Sequence, residues 1–265
     1  MVEIREEETL RGEDAARAQE QPSTSSRAAP SSAVQAQSWS EFVTSRRIDC
    51  LLFVCRIFTM FFAISFMLPS AAPSVYYKSL AAAAATNALR LQQRLGAVTL
   101  SREFAMRLML EDSCHYLLYC VLFLVSAPLS LSLLPLSLYA ALHAANFSVA
   151  ALQATGSGSS SATLRLSSLA SSQTANCLGI VACSEIFLVP LLLSLIVVGK
   201  ASFFIPFIYY RFLTLRYASR RNPYTRQAFY EMRCSLESVA RSPSCPSLVS
   251  ASIHRCISAL SALSP

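Results

Sequence analysis

Charge is the scarcest commodity in this chain. Only 14% of its 265 residues are Asp, Glu, Lys or Arg, where a soluble domain carries about 25%. That shortfall excludes an ordinary water-facing surface over most of the length and points to lipid as the main solvent. Glycine is rare too, with six residues, and no phosphate-cradling loop or dinucleotide fingerprint can be assembled from them. No Ser–His–Asp set, no pair of catalytic carboxylates and no zinc-type spacing is present, so the chain is expected to bind no cofactor or metal and to be no enzyme. The first 40 residues lack an apolar run of the length that a secretory signal needs. The first hydrophobic segment is therefore expected to act as its own signal anchor. The nine cysteines, Cys50, Cys55, Cys114, Cys120, Cys177, Cys183, Cys234, Cys245 and Cys256, are scattered and mostly inside apolar runs. They form no disulfide framework and read as small buried hydrophobes, with lipid attachment at Cys234 or Cys256 as the alternative.

What is abundant is hydrophobic residue, 54% of the chain at a mean hydropathy of +0.45. Residues 48–68 form the first spanning candidate, roughly 31 Å long as a helix, preceded by Arg46 and Arg47 and closed by Pro69. The paired arginines favour a cytosolic N-terminus. Trp39 and Phe42 just before them are expected to anchor at the headgroup level. Residues 71–113 are helical by propensity but too charged to span easily; they read as interfacial or packed against the membrane core. Residues 116–151 are apolar for too long to be one span, so a helical hairpin bent at Pro128 and Pro135 is expected. Asn146-Phe-Ser148 fits a glycosylation sequon but sits beside an apolar helix. A Gly/Ser/Ala stretch, 153–173, reads as a flexible linker. Residues 178–198 are the last clear span, and 201–215 are too short to cross and read as interfacial or half-buried.

Two charges lie inside spans, Arg56 and Glu185. A charge in hydrocarbon costs roughly 2.5–3.5 kcal/mol on insertion scales, so the two are candidates for an intramembrane ion pair, with snorkelling of Arg56 to the surface as the alternative. Asp112 and His115 stand at i, i+3 on a helix and read as an interface cap, since no nucleophile or metal accompanies them. His143 reads as a packed helical residue.

Positive charge collects at the end. From position 209 onward there are eight Arg against two Glu. Arg211, Arg216, Arg220, Arg221 and Arg226 are candidates for contact with an anionic lipid surface. After Asn222 and Pro223, a cap and first-turn pair, Phe229, Met232, Leu236 and Val239 recur at helical spacing. A second amphipathic helix follows Pro246. Phe229, Met232 and Leu236 are expected to dip into the bilayer, with packing onto the protein's own cytosolic face as the alternative. No nucleic-acid-binding motif accompanies the basic tail, so lipid rather than nucleic acid is its expected partner.

Three blocks, Ala88-Leu-Arg-Leu-Gln-Gln-Arg-Leu95, Leu110-Glu-Asp-Ser-Cys-His-Tyr-Leu-Leu-Tyr119 and the run from Pro206 to Tyr224 that reads PFIYYRFLTLRYASRRNPY, resemble the transmembrane protein 33 family. That family is also called Krüppel homologue 2 and includes yeast pore-membrane relatives. The resemblance implies residence in the endoplasmic reticulum and nuclear envelope. It also implies association with reticulon-type membrane-shaping proteins or nuclear pore membrane proteins. The N-terminal arm and the Gly/Ser stretch depart from the family pattern.

The expected architecture is all-α: a polytopic helical membrane protein with three to four spans including a helical hairpin, plus C-terminal amphipathic helices. Residues 1–44 are expected to be a disordered arm, 45–215 the membrane-embedded domain and 216–265 the basic tail. The expected function is a membrane-organising adaptor. A channel or transporter subunit and a membrane-embedded lipid-modifying enzyme are the alternatives.

Overall fold

The computed structural model describes residues 37–96, 101–199, 202–219, 223–242 and 245–263. Among them every regular element is a helix: α1 (Trp39–Ser45), α2 (Arg47–Phe66), α3 (Pro73–Leu95), α4 (Arg102–Leu110), α5 (Asp112–Leu124), α6 (Ser130–Ala154), α7 (Ser161–Val197), α8 (Phe204–Ala218), α9 (Tyr224–Ala240) and α10 (Ser247–Leu263). Three of these, α2, α6 and α7, are long and apolar enough to cross a membrane.

The local chemistry explains the boundaries. Pro73 stands at the first turn of α3, where its missing N–H is no loss. Gly96 ends that helix at φ 67°, a conformation that L side chains resist. Ser101 and Ser160 cap α4 and α7 by accepting from the amides of Phe104 and Thr163, at 3.1 and 3.2 Å.

Antiparallel pairs build the body. Ser79 on α3 donates to the Thr59 carbonyl of α2 at 2.9 Å. At the far end of α3, Tyr76 shares a 2.8 Å hydrogen bond with Ser132, and Tyr77 donates to the Ser126 carbonyl at 3.0 Å. Tyr119 of α5 reaches the Ser132 carbonyl at 2.8 Å. These tyrosines tie α3 and α5 to the start of α6 and to the turn before it. The core is correspondingly aromatic, with Tyr76, Tyr119, Phe123, Tyr209 and Phe212 fully buried beside Leu80 and Leu188. Around it, Val54, Phe58, Phe61 and Ile64 of α2 and Phe187 and Leu193 of α7 face outward, an apolar belt suited to lipid.

Three expectations need correction. The hairpin bends at residues 125–129, around Pro128, but Pro135 lies inside α6; a lone proline leaves one carbonyl without its amide, which membrane helices tolerate. The stretch 161–173, expected as linker, is the first third of α7. Its glycines, Gly156 and Gly158, fall in the turn before the Ser160 cap, and the Ser/Ala/Leu run after them meets no glycine until Gly179. Of the two readings of 201–215 the half-buried one holds, since residues 204–218 are a helix with one buried stripe. Phe42, expected at the headgroups, is buried against Phe147 with ring centroids 5.9 Å apart, while Trp39 is exposed. Of the two readings of 71–113, α3 takes the packed one, burying Tyr76, Leu80 and Ala83 against the core.

Candidate functional site

Helix α8 carries Ile205, Tyr209, Phe212, Leu213 and Arg216 on one stripe, all buried. The i, i+4, i+7, i+8, i+11 spacing puts an arginine on the same face as four apolar residues. Arg216 is therefore driven into the body as α8 packs, and its side chain is 1% exposed. A buried guanidinium needs anions and acceptors, and three helices supply them. Its Nε lies 3.4 Å from Glu185 Oε2 of α7, and its Nη1 lies 3.4 Å from Asp112 Oδ1 of α5. Its Nη2 donates to the Tyr139 hydroxyl of α6 at 3.0 Å. The Tyr116 ring lies 4.9 Å from its Cζ, a cation–π distance.

Each carboxylate is held a second time. Tyr116 donates its hydroxyl proton to Glu185 Oε1. Ser219 donates to Asp112 Oδ1 at 3.0 Å. Tyr209 donates to the Glu185 main-chain carbonyl at 2.7 Å. Asp112 also occupies the first turn of α5, where the helix dipole favours a negative charge. His115 Nε2 bonds the Met109 carbonyl at 2.7 Å, and its Nδ1 lies 3.6 Å from Asp112 Oδ1, beyond hydrogen-bond length. The arrangement joins α5, α6, α7 and α8 at one point. Its chemistry is that of a staple: the described groups hold one another, and none is poised as a nucleophile.

The cation paired with Glu185 is thus Arg216 and not Arg56, and Arg216 is an interior residue and not a lipid-surface one. Counting it with the terminal basic cluster misplaced it, because its helical face follows Tyr209 and Phe212 while Arg211 turns outward and is exposed. The tyrosines and Asp112 were missed as partners; the signal was the apolar stripe ending on a cation. Arg56 is buried and lines a cavity with Arg90, His143 and Asp112. Arg220, Arg221 and Asn222 lie outside the described residues, and Pro223 immediately precedes α9.

The tail helix α9 docks on α7. Ala228 is buried against Ala182 and Ile186, and Phe229 and Met232 pack half-buried beside them. Those two residues take the intramolecular alternative, and Leu236 is half-buried on the same helix. Arg226 is exposed. On the outer face Arg233 Nε donates to Glu237 Oε1 at 2.9 Å and Arg241 Nη2 to Oε2 at 3.1 Å; the bond from Arg233 holds the Glu237 carboxyl below its usual range. Ala228→Glu would bury a carboxylate against Ala182 and Ile186. It is expected to undock α9 at a cost of about 2 kcal/mol, read as a longer α7–α9 distance between spin labels at the exposed Cys183 and Cys234.

A family model described as Transmembrane protein 33/Nucleoporin POM33 matches residues 31–265. Transmembrane protein 33 homolog from Caenorhabditis elegans is 52% identical over 231 residues, 85% of each chain. Transmembrane protein 33 from Homo sapiens is 41% identical over 229 residues, 85% of this chain and 93% of the human one. Krueppel homolog 2 from Drosophila melanogaster is 42% identical over 202 residues, 75% of this chain and 73% of the fly one. No solved structure matches. The three apolar helices, the stapled body behind them and a match that runs from residue 31 to the last residue lead to one statement: this chain is a membrane protein of the Transmembrane protein 33/Nucleoporin POM33 family.

Proposed function

We propose that the chain is a membrane-organising adaptor of the endoplasmic reticulum and nuclear envelope. It binds reticulon-type membrane-shaping proteins and supports tubular network or nuclear pore membrane organisation. The observation that carries the reading is the tail. Helix α9 is fastened to the spanning helix α7 on one side, while Tyr230 and Val239 of α9 and Leu248 and Val249 of α10 are exposed. Exposed Arg226, Arg233, Arg241 and Arg255 accompany them. An apolar and basic surface held at fixed distance from a membrane span suits the headgroup region of an anionic leaflet. Shallow insertion there favours curved bilayer, the substrate of membrane-shaping proteins. The nucleoporin in the family description supports the nuclear envelope as one location.

The test uses the full chain in cells. Complexes purified from gently solubilised membranes are expected to contain a reticulon-type protein. The triple variant Tyr230→Asp, Val239→Asp, Leu248→Asp is expected to lose tubule enrichment several-fold while resisting alkaline carbonate extraction. Wild-type complexes without any membrane-shaping protein would sink the reading.

A further inference from the structure

Helix α4 takes no part in the staple, and none of its nine residues is buried. Phe104 and Leu108 are half-buried, while Ala105, Met106, Met109 and Leu110 are exposed. The last three are 59%, 48% and 70% exposed. At 3.6 residues per turn those four share one side of the helix, and Glu103 and Arg107 share another. Three large apolar side chains on one side of so short a helix are a poor surface for water.

The place of α4 in the bundle is fixed from both ends. Before it, Gln93 near the end of α3 lies 3.5 Å from Asp49 in the first turn of α2. After it, Glu111 pairs with Arg94 of α3 at 3.1 Å. His115 of α5 bonds the Met109 carbonyl of α4 itself at 2.7 Å. The helix is therefore held at the level where α2 begins, the end of the bundle that carries Arg46 and Arg47. There Arg46, Arg47, Arg102 and Arg107 outnumber Asp49 and Glu103. Exposed Ile48 and Leu51 of α2 start the apolar belt at the same level.

We propose that α4 lies in the headgroup plane of the leaflet that α2 enters at Arg47, with Met106, Met109 and Leu110 among the acyl chains and Arg102 and Arg107 on anionic lipid headgroups. A helix of this length, about 14 Å, is too short to cross and suits the interface. The cationic rim complements an anionic leaflet, and the apolar side continues the lipid-facing belt of α2. Arg102 starts the helix on its apolar side, and its long stem lets the guanidinium rise back to the headgroups. The flexible methionines adapt to disordered chains. This contact belongs to α4 and not to the tail, so its failure leaves the adaptor reading standing.

Trp39 is the single tryptophan of the chain, so the double variant Trp39→Phe, Met106→Trp places a lone fluorophore on α4. The full-length protein is reconstituted in nanodiscs of phosphatidylcholine with brominated acyl chains, with and without phosphatidylserine. With phosphatidylserine present, emission is expected to be quenched several-fold by the bromine and little by aqueous acrylamide. Adding Arg102→Gln and Arg107→Gln, or leaving out phosphatidylserine, is expected to weaken the bromine quenching several-fold. Should Met106→Trp fail to fold, Leu110→Trp carries the same readout. Quenching by acrylamide alone would put α4 in water, and quenching by neither would put it against protein; either result overturns the proposal. So does bromine quenching that is equal with and without phosphatidylserine and unmoved by the arginine variants, which would leave anionic lipid no role.

Discussion

Arg216→Ala is expected to destabilise the protein by about 3–5 kcal/mol, the usual cost of removing one partner from a buried ion pair. The reason lies in what remains. Glu185 and Asp112 are both buried, and without the guanidinium two carboxylates face each other across a site that water reaches poorly. Tyr116 and Ser219 still donate to them, but neither carries charge. Arg216→Lys keeps the charge and loses the fork, so it can satisfy one carboxylate well and not two; an intermediate loss is expected. The double variant Arg216→Met, Glu185→Gln is expected to recover a large part of the loss, since replacing both partners avoids the orphaned charge. Thermal unfolding in detergent, followed by thiol reactivity of the buried Cys120, reads the series. A shift on the order of 10 °C for Arg216→Ala is expected, and a melting point within about 2 °C of wild type would show that the staple contributes nothing.

Much of this fold is legible in the residues, and the parts that are not share one cause. Spans announce themselves by length and hydropathy: α2 and the end of α7 stand within a few residues of expectation, whereas α7 starts at Ser161 instead of 178 and α6 runs through Pro135. The tail helices are legible from their 3.6-residue spacing, which does not depend on neighbours. Reading fails where a residue's fate is decided by a helix remote in sequence. Arg216 looks like surface charge until Glu185 and Asp112, 31 and 104 positions away, are placed beside it. Glu185 looks like a partner for Arg56 because both sit in spans, and depth along two helix axes says nothing about which faces meet. Residues 161–173 look like linker because serine and alanine dominate them, yet those residues cost a helix little once a cap has started it. Burial of α8 had a sequence sign, the stripe from Ile205 to Arg216, but a 15-residue helix is too short for length to argue that it lies inside.

That inward position of α8 makes the second large prediction. Phe212 is 0% exposed, with its ring centroid 5.1 Å from Tyr119, 5.4 Å from Tyr209 and 5.9 Å from Tyr116. Phe207, five positions earlier, is 67% exposed. Phe212→Ala removes a ring packed on three others and leaves a hole between α5 and α8. Lipid tails supply little hydrophobic drive between helices, so the loss is mainly of close contact, and about 3 kcal/mol is expected, the lower end for an aromatic truncation. Phe207→Ala trims an exposed ring and is expected to stay within about 0.5 kcal/mol. The difference reaches the tail, because α8 ends where Ser219 meets Asp112, shortly before α9 begins at Tyr224. With α8 loosened, protease is expected to cut near residues 219–223 several-fold faster in Phe212→Ala, while Phe207→Ala behaves as wild type. Equal cutting in the two variants would mean that α8 lies at the interface with neither face packed, and that the tail is not held through it.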